Sequence, residues 1–183
     1  MTKHTSLLAL ALTFILFSCK KDTDESSTNP YGNGPKTTVP ASFQGNWMYG
    51  NFSMTEYWSQ NPAGYMGNAF EMAIAFTFYP NGTYDQYFTS RTVTGGASTY
   101  HQSLSKGTVV IDEAAKTITT HASTAHYRQT KNGGTLEDRD LEKNEITKTT
   151  SYTYELGTEP NGKKAMYLTM NGTGNAIPFI QLY

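Results

Sequence analysis

The stretch 71–91, EMAIAFTFYPNGTYDQYFTSR, decides the fold, because it predicts one long β-hairpin with a well-defined turn. Pro80 presets φ for the second position of a type I turn, and Asn81 suits the third position. Gly82 can adopt the left-handed conformation that completes a three-residue hairpin loop. A two-residue turn at Asn81-Gly82 is the alternative.

A three-residue loop places Tyr79 opposite Thr83 and fixes the register of both strands. The pairs on one face are then Phe78 with Tyr84, Phe76 with Gln86, Ile74 with Phe88, and Met72 with Ser90. The pairs on the other face are Thr77 with Asp85, Ala75 with Tyr87, Ala73 with Thr89, and the opposite charges Glu71 with Arg91. A shift of one residue would mix the apolar face with the polar face, so we predict the three-residue loop.

Residues 1–18 have the pattern of an export signal. Lys3 and His4 precede an apolar run, 7–17, that is too short to span a bilayer, and Ser18 stands before Cys19, the only cysteine. The run LFSC at 16–19 resembles the bacterial lipobox, which implies cleavage before Cys19 and acylation of the new N-terminus. An ordinary secretory peptide or a buried apolar stretch is the alternative. Several acyl chains would hold the protein stably on a membrane.

The sequence after the export signal predicts a disordered tether over 19–40. It starts CKKD and continues rich in Ser, Asn, Pro and Gly, with Val39 as its only aliphatic residue. Such a composition cannot bury enough apolar surface to order itself. About twenty residues reach at most ~70 Å when fully extended. The CKKD start also resembles surface-exported lipoproteins of Gram-negative bacteria, so we expect an outer-membrane location, facing the cell surface or the periplasm.

Residues 41–183 are predicted to form one all-β domain. The chain contains 13 Tyr and 9 Phe, is rich in Thr and Gly, and shows no sustained helical periodicity beyond the signal. The formal net charge of −1 gives no indication of nucleic-acid binding.

Turn signals such as Gly95-Gly96 and Asn171-Gly172 divide this domain into eight predicted strands. The strands span 45–57, 70–79, 83–94, 99–111, 116–129, 145–156, 164–170 and 177–183. Consecutive antiparallel strands with short turns favour an eight-stranded up-and-down β-barrel, because closure removes exposed edges. A β-sandwich is the alternative.

Short motifs along the domain resemble the small lipocalin-like lipoproteins of Gram-negative bacteria. The run FQGNW at 43–47 is similar to the Gly-x-Trp opening of lipocalin-like proteins, in which the Trp closes the barrel floor. FYPNGTY at 78–84, KGTVVID at 106–112 and FIQLY at 179–183 also resemble that family. The chain departs from true lipocalins in having no Arg near the last strand to stack on the Trp. The resemblance implies a lipocalin-like barrel that encloses a ligand cavity.

The inward face of the hairpin supplies the predicted cavity. Its candidate lining residues are Trp47, Met72, Ile74, Phe76, Phe78, Tyr84, Gln86 and Phe88. A cavity of this composition suits a small apolar or amphipathic ligand, and an interior filled by side chains is the alternative. The loop at 58–67, WSQNPAGYMG, presents Trp58 and Tyr65 as a lid, as a recognition surface or as a plug at one barrel end.

Signals for metals, cofactors and catalysis are weak. His121 and His126 are five residues apart, so a regular strand points them to opposite faces, and they cannot share a metal without a bulge. His101 lies on another strand, so exposed or singly hydrogen-bonded histidines are expected instead of a three-histidine zinc site. The run EDRDLE at 137–142 is predicted to be a solvated hairpin tip rather than a calcium site. No arrangement of nucleophile and base is recognisable, so we predict no metal, no cofactor and no enzyme activity.

Two functions remain. We expect a membrane-tethered module that binds a small apolar or amphipathic ligand in its barrel. The alternative is a filled barrel that acts through its outer surface as an interaction or structural part of the cell envelope. The contact candidates for that alternative are Tyr57, Trp58, Tyr65, Tyr79 and Tyr87.

Overall fold

The structure is a computed structural model that describes residues 29–59 and 72–182. Its strands are β1 (Gly45–Tyr49), β2 (Met72–Phe78), β3 (Thr83–Thr94), β4 (Ala97–Asp112), β5 (Thr117–Lys131), β6 (Gly134–Asp140), β7 (Thr149–Thr158), β8 (Lys164–Met170) and β9 (Ile177–Leu182). All of them belong to one antiparallel sheet. Within the described residues, no helix has the length and apolar character needed to cross a membrane. The predictions for Cys19, Tyr65 and Glu71 lie outside the described residues.

The predicted hairpin register between β2 and β3 is confirmed. Phe78 pairs with Tyr84, and the pairing continues in step to Met72 with Ser90. The turn has the predicted three-residue loop, because the Tyr79 amide donates to the Thr83 carbonyl at 3.0 Å and Gly82 has φ of 81°. The apolar face that the turn chemistry predicts is therefore the face that the barrel encloses.

Eight of the strands close into a ring, so the predicted up-and-down barrel is confirmed. The order around the ring is β1, β2, β3, β4, β5, β7, β8, β9, and β9 pairs again with β1. The pairings that close the ring include Met48 with Ile180 and Val109 with Thr120. Because each of these strands has a partner on both sides, the sandwich alternative does not apply.

The strand β6 is the main addition to the predicted strand order. The acidic run 137–142 is predicted to be a hairpin tip, but 134–140 pairs with the far half of β5, from His126 to Lys131. The next ring strand, β7, pairs with β5 only at its beginning, from Thr117 to His121. The far halves of β4 and β5 therefore run past the ring together with β6. We call this part, 97–106, 124–131 and 134–140, the extension.

A β-bulge in β5 marks the start of the extension. Lys106 pairs with Thr124 whereas Gly107 pairs with Ala122, which leaves Ser123 as the additional residue. The bulge resets the alternation of side chains along β5. His121 and His126 consequently lie on the same outward face, opposite Thr108 and Leu104, and the prediction of opposite faces is wrong.

The lower half of the barrel, at the end where β1 begins, is filled by side chains. Trp47 is 1% exposed, and its indole Nε1 donates to the carbonyl oxygen of Phe43 at 2.7 Å. The Phe43 ring in turn lies edge-on to Tyr154 at 4.8 Å between centroids. The other buried members of this cluster are Val39, Phe76, Phe78, Tyr84, Val109, Ile111, Ile118, Tyr152, Met166, Leu168 and Phe179. Trp47 is thus part of the packing that fills this end of the barrel.

Residues 29–40 correct the predicted tether, because they dock on the barrel. The Thr37 amide donates to the Val109 carbonyl at 3.0 Å, and the Val39 amide donates to the Pro80 carbonyl at 3.2 Å. A Cβ at Gly34 would lie 2.6 Å from Oγ1 of Thr108. The segment is held by backbone hydrogen bonds and close approach of small residues, and apolar composition cannot reveal such contacts.

Candidate functional site

Five of the eight predicted cavity residues do not line the cavity between β3, β4, β5, β7 and β8. Trp47, Phe76 and Phe78 are each 1% exposed within the filled lower half, and Ile74 packs against the same cluster. Met72 is half-buried at the upper end of β2. Trp47, Phe76 and Phe78 lie among large side chains that neighbouring strands supply, and these fill the space around them.

The other three predicted residues, Tyr84, Gln86 and Phe88, line an open cavity in the upper half of the barrel. Its volume is about 340 Å³. The remaining lining residues come from the strands that follow β3 around the ring and are Ser103, Ser105, Thr120, Ala122, Thr147, Thr150, Tyr152 and Met170. The hairpin therefore contributes one wall of the cavity, and β4, β5, β7 and β8 contribute the rest.

Two tyrosine hydroxyls lie at the bottom of this cavity and bond to its walls. Tyr84 forms a side-chain hydrogen bond with Thr120, and Tyr152 forms one with Gln86. Burial raises the pKa of Tyr84, and burial raises the pKa of Tyr152 to about 12 despite its bond to Gln86. Both phenols therefore stay protonated and uncharged near neutral pH.

Four further hydroxyls on the cavity wall have no hydrogen-bond partner among the described residues. They belong to Ser103, Ser105, Thr147 and Thr150. The Ser103 backbone is bonded to Tyr57, and the Thr150 carbonyl accepts from Thr120, but their side chains are not used. These groups are open to the cavity, so they are available to bind solvent or a ligand.

Trp58 does not form a lid over this cavity. Gly50, with φ of 80°, turns the chain after β1, and the predicted first strand ends at Tyr49 instead of Tyr57. The following residues fold back on the outer face of the sheet, where Phe52 and Tyr57 pack against Ala73 and Ala75. Trp58 belongs to this outer cluster, so the predictions of a lid and of a barrel plug are wrong for it.

Tyr57 fixes this outer segment between β3 and β4. Its hydroxyl accepts from the Ser103 amide at 3.0 Å and contacts the carbonyl oxygens of Phe88 and Ser103. The Gln102 side chain, itself buried, donates to the Tyr57 carbonyl at 2.6 Å. The strand residues Phe88 and Ser103 that carry these bonds also line the cavity, so the outer segment supports the cavity wall from behind.

The outward tyrosines that we predict as contact candidates are engaged within the protein. The Tyr79 hydroxyl donates to Oδ2 of Asp85 at 3.0 Å, and the Tyr87 ring lies edge-on to Tyr57 at 5.0 Å. Asp85 is 4% exposed and lies 3.8 Å from Nζ of Lys106. These contacts leave little of either aromatic ring for a partner protein.

A charged network on the outer face joins β5, β6 and the segment that carries Trp58. Both imidazole nitrogens of His126 lie 2.7 Å from carboxylate oxygens, Nδ1 from Asp140 and Nε2 from Asp138. The Trp58 ring is edge-on to this imidazole at 4.8 Å, and Arg128 donates to the Trp58 carbonyl. Burial lowers the pKa of His126, but the bonds to Asp140 and Asp138 outweigh burial and leave that pKa raised.

Replacing His126 with glutamine should remove a pH-dependent part of the stability. Because the folded pKa of His126 is raised, protonation stabilises the fold, fully below the ordinary histidine value of about 6.5 and less as pH rises through the folded pKa. Urea unfolding of both proteins between pH 5 and pH 9 should therefore show a stability difference that shrinks at high pH.

The double variant Asp138→Asn with Asp140→Asn should abolish the same pH dependence while His126 is still present, because the carboxylates raise its pKa. A difference between wild type and His126→Gln that stays constant over the whole pH range would contradict this interpretation.

Metal coordination has no support in the described ranges. No group of three His, Cys, Asp or Glu side chains in 29–59 and 72–182 is placed to hold a metal ion. His101 lies on the inward face and bonds the Tyr127 hydroxyl at 2.6 Å, while His121 lies 3.3 Å from the Thr149 hydroxyl on the outward face. The three histidines therefore do not converge.

Comparison with known proteins gives no match: no family model matches this chain, and neither does any curated protein.

Proposed function

We propose that this protein is a bacterial lipoprotein, anchored in the outer membrane through Cys19, whose lipocalin-like barrel binds a small amphipathic molecule in its upper cavity. The observation that carries the proposal is the cavity of about 340 Å³ between the inward faces of β3, β4, β5, β7 and β8. Its volume falls within the range of small-molecule sites, roughly 300–1,000 Å³.

The filled lower half supports this proposal, because it holds the cavity walls in place. Phe76 stacks on Phe78 at 5.4 Å and meets Tyr152 edge-on at 5.9 Å. Tyr152 belongs both to this packed cluster and to the cavity lining. A site whose walls are fixed before binding avoids the entropy cost of ordering them around a ligand.

The lining favours an amphipathic ligand over a purely apolar one. Phe88 and Met170 offer apolar surface, whereas Ser103 and Ser105 offer hydroxyls without partners. An apolar ligand would bury those hydroxyls without hydrogen bonds, at a cost of about 1–3 kcal/mol for each group.

The second candidate function, an interaction module of the cell envelope, is favoured by the filled lower half alone. Its predicted aromatic contacts are largely internal, since Tyr57 is 3% exposed and Tyr79 is bonded to Asp85. We therefore retain it as the reading that a failed binding test would support.

A pair of threonine variants on β7 tests the proposed cavity. Thr150 lines the cavity, whereas Thr153 is exposed on the other face of the same strand. Thr150→Phe fills the cavity, so binding of the neutral dye N-phenyl-1-naphthylamine, which carries an N–H group between its aromatic rings, should fall at least tenfold. The matched control, Thr153→Phe, should bind as wild type does.

Native mass spectrometry of the intact protein provides a second measurement of the same site. A small molecule that co-purifies with wild type and with Thr153→Phe, but not with Thr150→Phe, would support the proposal. Equal binding by all three proteins, or no binding by any, would refute it.

A further inference from the structure

We propose that the cavity ligand is a neutral polyhydroxylated molecule of the size and kind of a single sugar ring, held by hydroxyl groups of the barrel wall. This inference rests on the proposed function, since it names the chemical class that the same cavity takes. It is carried by three features of the described lining: its side chains carry no charge, four of its hydroxyls have no partner among the described residues, and apolar surface lies beside them.

Among the residues that the structure describes, the cavity lining contains no ionisable side chain other than the two tyrosines. None of its residues is Asp, Glu, Lys, Arg or His. Tyr84 and Tyr152 stay protonated, because burial raises the pKa of each phenol. A charged ligand would lose its hydration here without gaining a countercharge, so the lining selects against carboxylates, phosphates and amines.

The hydroxyls without partners lie on β4 and at β7, the two strands that flank β5. Ser103 and Ser105 lie on β4, and their neighbours across the sheet on β3 are Phe88 and Gln86. Thr150 lies on β7, and Thr147 lies in the segment just before it. A hydroxyl both donates and accepts, so groups on β4 and β7, on either side of β5, match a ligand that carries several hydroxyls on neighbouring ring positions.

Apolar surface in the cavity complements the C–H groups on the faces of a sugar ring. Phe88 and Met170 line the same space, and the aromatic ring of Tyr152 lies between them and the core. A pyranose presents C–H groups on its faces and hydroxyls at its edge, so it can satisfy both kinds of wall at once.

The inward face of the extension continues this neutral surface above the cavity. Beyond Ser103, the next inward position on β4 is His101, which bonds the hydroxyl of Tyr127 on β5. Ser90, opposite His101 on β3, adds another hydroxyl to this face. A substituent on the ligand could therefore leave the cavity along a wall that is polar and has no acidic or strongly basic group at these positions.

Ligand-observed NMR with the full chain tests the inference. The neutral probes are D-glucose, N-acetyl-D-glucosamine and myo-inositol, and the charged counterparts of similar size are D-glucuronate and D-glucosamine. At least one neutral probe should give saturation transfer from wild type, and the charged counterparts should bind at least tenfold more weakly.

Variants that remove single hydroxyls test whether hydrogen bonds from the cavity wall, and not only apolar contacts, hold the ligand. Ser105→Ala and Thr150→Val should each weaken binding of the neutral probe roughly 3- to 10-fold, because each removes one hydrogen bond. The same variants should bind N-phenyl-1-naphthylamine equally well or better. Thr153→Val, which removes an exposed hydroxyl on the outer face of β7, is the matched control and should change neither affinity.

The outcomes distinguish this inference from the proposed function. If the dye binds wild type and is excluded by Thr150→Phe, but no neutral sugar or polyol binds, the inference is overturned while the cavity remains a binding site. Tighter binding of a charged counterpart would also overturn it. If neither the dye nor any sugar binds, both proposals fail.

Discussion

Replacing Trp47 with alanine is expected to lower the free energy of unfolding by about 3–5 kcal/mol, one of the two largest effects that the structure predicts. The side chain is 1% exposed on the barrel floor, and its indole Nε1 bonds the Phe43 carbonyl. Truncation would leave a large cavity below Phe76 and would leave that carbonyl without its donor. Urea unfolding followed by far-ultraviolet circular dichroism measures the loss.

Trp58→Ala is the control for this substitution, since it removes the same side chain from a half-buried position on the outer face. It should cost clearly less than Trp47→Ala, because surrounding water can fill the space that it leaves. Equal losses for the two variants would mean that the lower barrel is not the packed core of the protein.

Gly107→Ala is expected to destabilise the protein by at least about 1–3 kcal/mol, the range typical of overpacked interiors. The added Cβ would lie 2.0 Å from the carbonyl oxygen of His121 and 2.9 Å from Cα of Ala122. Those atoms belong to the backbone of β5, so the contact can be relieved only by separating β4 from β5 at the bulge.

Gly134→Ala is the matched control for this strand glycine, because the nearest atom to its added Cβ, the Lys131 carbonyl oxygen, is 3.5 Å away. That variant should unfold within about 0.5 kcal/mol of wild type. A Gly107→Ala protein that unfolds at the same urea concentration as Gly134→Ala would show that β4 and β5 are not in close contact at the bulge.

The sequence predicts the hairpin and the ring well because the information for them is local. Pro80, Asn81 and Gly82 specify one loop, the loop fixes the register, and the register separates an apolar face from a mixed one. Regular turn signals then indicate a series of antiparallel strands. The closing contact between β1 and β9 joins the two ends of the domain, and it follows from the need to cover the edges of such a series.

The position of the cavity could not be predicted from the hairpin alone. Whether a given level of a barrel is filled or open depends on side chains from all of its strands. The hairpin pattern places Phe76 and Gln86 on one face but does not show which of them has large neighbours. On β4, the alternation Ser103-Leu104-Ser105 suggests that leucine points inward, yet Leu104 packs on the outer cluster. Leu104 can face outward because the segment around Tyr57 covers this part of the outer surface of the sheet.

The sequence predicts a loop for the acidic run in β6, because polar strands give weak sequence signals. Asp138 and Asp140 face outward beside His126, whereas Arg139 is bonded to Glu137 and Glu145. Such a strand is held by cross-strand charge pairs instead of apolar burial, and composition alone does not separate it from a solvated turn.

The docked segment 29–40 has a consequence for how the protein would sit on a bilayer. With residues 29–40 fixed to the barrel, only nine residues lie between Cys19 and Asn29. They reach about 35 Å at full extension, compared with ~70 Å for the whole tether 19–40. The Pro30 carbonyl accepts a hydrogen bond from the Thr124 hydroxyl beside the bulge. This contact lies at the same level along the barrel as Ser105, which lines the cavity. Acylation at Cys19 would therefore keep the open end of the barrel within a short distance of the lipid headgroups.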